Sequence, residues 1–60
     1  MREMEINDRA RQLLATYGAQ AIVEAARKAT DLEAQGEAEQ ARDWRHIADA
    51  MKLMRGPHQS

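Results

Sequence analysis

The chain has 60 residues, with no cysteine, no phenylalanine, one tryptophan and one tyrosine, and nine Lys and Arg stand against ten Asp and Glu for a net charge of -1. These numbers exclude a disulfide scaffold, a cysteine zinc site and a thiol nucleophile, and they weigh against a dedicated nucleic-acid binder, which carries a basic excess. No apolar run approaches the roughly 18 residues that span a bilayer, so the expectation is one small all-α domain, cytoplasmic and without membrane insertion.

Residues 1–6, MREMEI, are polar with scattered apolar positions. They lack the apolar stretch of a signal peptide and are predicted to fray. Asn7 reads as an N-cap, with Asp8 suited to the positive end of the helix dipole. A first, short helix is therefore predicted over 8–17, carried by Ala10, Leu13, Leu14 and Tyr17 at spacings of three and four. Gly18 allows two readings. As a break, it separates this helix from a second one; as an interior glycine costing about 1 kcal/mol, it leaves one long helix over 8–35. The break is the favoured reading, because Tyr17-Gly18 has the look of a C-terminal turn.

The second helix is predicted over 19–35, with Ala21, Ile22, Ala25, Ala26, Ala29 and Leu32 on one stripe. Gly36 ends it as a residue in the left-handed conformation. The third helix is predicted over 37–55. Glu37 and Glu39 lie in its first turn, Lys52 and Arg55 in its last, and Gly56-Pro57 stops it. Its stripe is Ala41, Trp44, Ile47, Ala48, Met51 and Met54. The tail 56–60 is predicted to be disordered. Alternating apolar runs and hairpin dipeptides are missing, so no strand is predicted. A single-glycine connection between two helices of matched length dictates a tight antiparallel hairpin. The fold class is thus all-α: a short N-terminal helix plus a helical hairpin.

Twelve of the apolar residues are alanines, which let helices approach closely but bury little area each. A chain this short ordinarily needs a staple, a metal or a partner. No staple is available, so completion by a homo-oligomer or by docking on a larger protein is expected. The residues expected to form the contact are Tyr17, Ile22, Trp44, Ile47, Met51, Leu53 and Met54. Trp and Tyr are enriched at interface hot spots, and methionine adapts to partner surfaces. For Trp44 and Ile47 the competing reading is plain core. Leu53 lies off the main stripe of its helix, beside Met54, and marks a second apolar surface at the C-terminal end.

Chemistry is sparsely represented. The hydroxyls are Thr16, Tyr17, Thr30 and Ser60, none with a base at a suggestive spacing, and Gly18, Gly36 and Gly56 are too isolated to form a phosphate loop. Three short helices are also expected to leave no room for a pocket of a few hundred Å³. No enzyme activity and no cofactor are expected. Asp43 and His46 share a helix face, as in carboxylate-x-x-His metal elements, but one copy supplies one such pair, and a solvated pair beside Arg42 and Arg45 is the better reading. The alternative function is a nucleic-acid-binding regulator using Arg42, Arg45, Lys52 and Arg55 on the third helix. Against it, Glu39, Asp43 and Asp49 interleave with these bases, and Glu39–Arg42 and Arg45–Asp49 are spaced for pairing within the helix.

Tyr17-Gly18 before an Ala-rich helix, then Leu32, Gly36 and Trp44-Arg45-x-Ile47-Ala48 followed by Met51, resembles a group of small helical proteins of alphaproteobacteria. The resemblance covers Leu14 to Met54. It implies a bacterial, cytoplasmic helical domain and brings no activity or catalytic residue with it. The function expected from all these features is a small non-enzymatic protein–protein interaction module, an accessory subunit or regulator.

Overall fold

The computed structural model describes residues 2–55. It contains three helices in chain order: α1 (Glu3–Tyr17), α2 (Gln20–Ala34) and α3 (Ala38–Arg55). No strand occurs among the described residues. None of the helices is long and apolar enough to cross a membrane. The tail predicted to be disordered, 56–60, lies outside the described residues.

α1 corrects the predicted start. Residues 3–6 are helical, and Asn7 is an exposed residue inside the helix, not its cap. Two features explain the earlier beginning. Glu3 and Glu5 put carboxylates into the first turn, where the free N–H groups and the dipole favour negative charge. The Glu5 carboxylate accepts a hydrogen bond from the Arg2 backbone N–H at 3.3 Å. Only this half of a capping box can form, because a guanidinium has no acceptor. Ile6 then extends the apolar stripe by one more turn and is buried, so packing stabilises what local propensity leaves marginal.

Gly18 breaks the chain, as favoured. Its N–H donates to the Leu14 carbonyl at 2.8 Å, closing the last turn of α1. Its backbone sits at φ +66° and ψ -146°, close to a region open essentially to glycine alone. Ala19 is already in helical conformation, and the first turn of α2 is tightened by Ala21 N–H to Gly18 C=O (2.9 Å) and Ile22 N–H to Ala19 C=O (3.2 Å).

The second connection is longer than the predicted single glycine. Gln35, Gly36 and Glu37 lie between the helices. The Gly36 N–H donates to Glu33 C=O at 3.0 Å, and the Glu37 N–H to Leu32 C=O at 2.8 Å, with Gly36 at φ +85°. This is the Schellman pattern, which satisfies the last carbonyls of a helix by turning one residue left-handed. The observed bounds 20–34 and 38–55 differ from the predicted 19–35 and 37–55 at residues 35 and 37, which this motif consumes, and at Ala19, which caps α2.

α2 and α3 form the hairpin, and α1 packs mainly on α3 and less on α2. The main core gathers Ile6, Ala10, Ala21, Ala25, Ile47, Ala48 and Met51, with Leu13, Leu14, Ile22, Trp44 and Ala50 packed around it. Among the described residues, six of the ten that are buried are alanines, and only Ile47 and Met51 are large side chains entirely removed from water. No polar or charged residue is buried among the described residues. Near the closed end of the hairpin, Arg45 of α3 pairs with Glu33 of α2 at 2.6 Å. This tertiary pair was not predicted; the predicted partner of Arg45 was Asp49.

Candidate protein-interaction groove

Tyr17 ends α1. At about 100° per residue it falls on the same side as Ile6, Ala10 and Leu13, the side that faces the core. The residue is nevertheless 55% exposed. The chain turns away immediately after it, at Gly18, so the apolar stripe of α1 outruns the surface available to cover it. Leu13 and Trp44 are half-buried beside it. With Ala21 and Ala25 of α2 they line a solvent-open groove of about 590 Å³. The expectation that three short helices leave no space of this size is therefore corrected, although the space is an open groove and not an enclosed pocket.

The groove has an apolar floor and a polar rim. Gln20, Glu24 and Lys28 stand along one row of α2, and Thr16 of α1 completes the edge. One acid and one base thus flank two aromatic rings. The surroundings bury no acid, base or hydroxyl among the described residues. They do offer amphipathic aromatic rings that a partner can bury while satisfying their N–H and O–H at the edge.

Of the residues predicted to make contacts, the structure brings Tyr17 and Trp44 together in this groove. Ile22 is half-buried against the core. Ile47 and Met51 are corrected: both are completely buried within the protomer and have no surface to present. α1 starts earlier than predicted and contributes Ile6 and Ala10 to the cluster that encloses them. Leu53 is 81% exposed, and Met54 39%, at the C-terminal end of α3. Leu53 borders a separate depression with Glu3, Ile6, Asn7, His46, Asp49 and Ala50. It shares no residue with the groove. Leu13 and the row Gln20, Glu24 and Lys28 were missed; the signal for them is the four-residue spacing that sets a row beside the Ala21–Ala25 stripe.

The basic residues Arg42, Arg45, Lys52 and Arg55 are all exposed on α3. Arg45 is engaged with Glu33, and Asp49 shares a shallow depression with Arg45 and Lys52. Asp43 is half-buried and His46 exposed; no cluster of three or more potential metal ligands forms among the described residues. The Thr30 hydroxyl donates to the Ala26 carbonyl at 3.1 Å, a bond within its own helix. Compared with protein-family models, curated proteins and solved structures, the chain matches none.

Proposed function

We propose that this chain is a small non-enzymatic interaction module of the bacterial cytoplasm, an accessory subunit or regulator, that docks through the groove between Tyr17 and Trp44. One observation carries the reading: Tyr17 lies on the core-facing side of α1 yet is 55% exposed, next to a half-buried tryptophan. Tyr and Trp truncations at interfaces commonly cost about 2 kcal/mol or more, and burying a large apolar side chain contributes roughly 1.5–3 kcal/mol. The basic flank of α3 is the weaker basis for function, because Glu33 occupies Arg45 and Asp49 interrupts the positive surface; phosphate binding needs uncompensated cations.

The test is photo-cross-linking in cells, with a photoreactive phenylalanine analogue in place of Tyr17 and, as a control, of Val23. Val23 is equally exposed, at 54%, but is not part of the groove. Adducts from position 17 and few from position 23 are expected. Equal adducts from both, or none from position 17, would remove the basis for a docking role of the groove.

A further inference from the structure

Resting on the groove as the docking site, we infer that its occupant is a second copy of this chain, packed about a two-fold axis that sets the α2 helices antiparallel with Glu24 and Lys28 on either side of it. A two-fold interface must be self-complementary, since the same patch serves both sides. The rim of the groove meets that condition. It carries one carboxylate and one ammonium, one helical turn apart on the same row. With the axis midway between them, Glu24 faces Lys28 of the partner subunit and Lys28 faces Glu24 of the partner subunit. Both charges are satisfied at once, with no like pair opposed. Such pairs set register and orientation more than affinity; affinity comes from covering Tyr17, Trp44 and Leu13. A net charge of -1 per chain leaves almost no long-range repulsion between copies. The charged pair spans only about 6 Å of helix at 1.5 Å per residue, a short seam that fits a weak, concentration-dependent dimer.

Charge exchange tests self-complementarity directly. Glu24→Lys gives a chain with two cations on the row, and Lys28→Glu gives one with two anions. Both positions are exposed, so both variants should fold normally, which circular dichroism checks. The wild type should self-associate in sedimentation equilibrium, with the single tryptophan's emission shifting to the blue as concentration rises. Each variant alone should associate roughly tenfold or more weakly, because like charges now face each other. An equimolar mixture of the two should recover association at least to the wild-type level, since every facing pair again joins a carboxylate to an ammonium. A wild type that stays monomeric to about 1 mM, where even weak dimers are populated, overturns the inference, as does a mixture no better than its components. If the monomeric chain still gives position-17 adducts with a different protein, the groove reading stands and the second copy is wrong. Loss of all such adducts removes both.

Discussion

At the scale of single residues, the two turns depend on two glycines with different demands. A methyl group at Gly18 or Gly36 would meet no atom within 4 Å, so any cost of substitution is conformational. Gly36 closes a Schellman motif with its φ at +85°, the left-handed setting that asparagine also tolerates. Gly18, at φ +66° and ψ -146°, lies where no side-chain-bearing residue is comfortable. Gly36→Asn should therefore cost well under 1 kcal/mol, against about 1–2 kcal/mol for Gly36→Ala. Gly18→Asn and Gly18→Ala should both cost about 1–3 kcal/mol. Thermal melts of the four variants check this, and an equally mild Gly18→Asn would mean that its backbone setting does not hold the break. Gly36 was plainly legible in the sequence, whereas the break at Gly18 was legible only as the favoured of two readings. Gly36 stands between two strong helical patterns and before an acidic first turn. At Gly18 the apolar phase runs on from Tyr17 to Ala21 without interruption, so the pattern alone fits a continuous helix as well as a break.

At the scale of elements, the legible helix was α3, whose carboxylate Glu39 and terminal Lys52 and Arg55 complement its dipole. The helix that was misread is α1. Asn7 is a better cap than Arg2 by residue type, and local rules therefore place the start too late. What decides the start is burial: Ile6 reaches the core cluster with Ala10, Ile47 and Met51, contacts that no local signal announces. Ile6→Ala should accordingly destabilise the protein by about 2–4 kcal/mol. Asn7→Ala should change stability by no more than about 0.5 kcal/mol, whereas loss of a true N-cap costs about 1 kcal/mol. Chemical denaturation of both variants distinguishes the two. The same logic explains the Arg45–Glu33 pair, which joins residues far apart in sequence. With both side chains about half exposed, it orients the hairpin more than it stabilises it, at a few tenths of a kcal/mol.

At the scale of the whole molecule, stability rests on very few large side chains. A single core in a chain of this length supplies at most about 3–5 kcal/mol, and most buried positions here are alanines. They let the helices lie close without contributing much apolar area of their own. Ile47 and Met51 therefore carry a disproportionate share, and removing either should approach the total. Ile47→Ala, at roughly 2–5 kcal/mol, should leave the isolated chain largely unfolded at 25 °C. Leu53→Ala, at a position 81% exposed, should stay within about 0.5 kcal/mol of the wild type. Circular dichroism melts at several chain concentrations make the comparison. They also separate the roles of the core and the groove: association that stabilises the folded chain raises the melting temperature with concentration. Weakening the core should lower every curve while leaving that dependence in place wherever enough folded chain remains. Truncating the exposed ring, as in Tyr17→Ala, should instead flatten the dependence and leave the dilute-limit midpoint nearly unchanged. A Tyr17→Ala variant that loses stability equally at all concentrations would place the tyrosine in the service of the fold, not of docking.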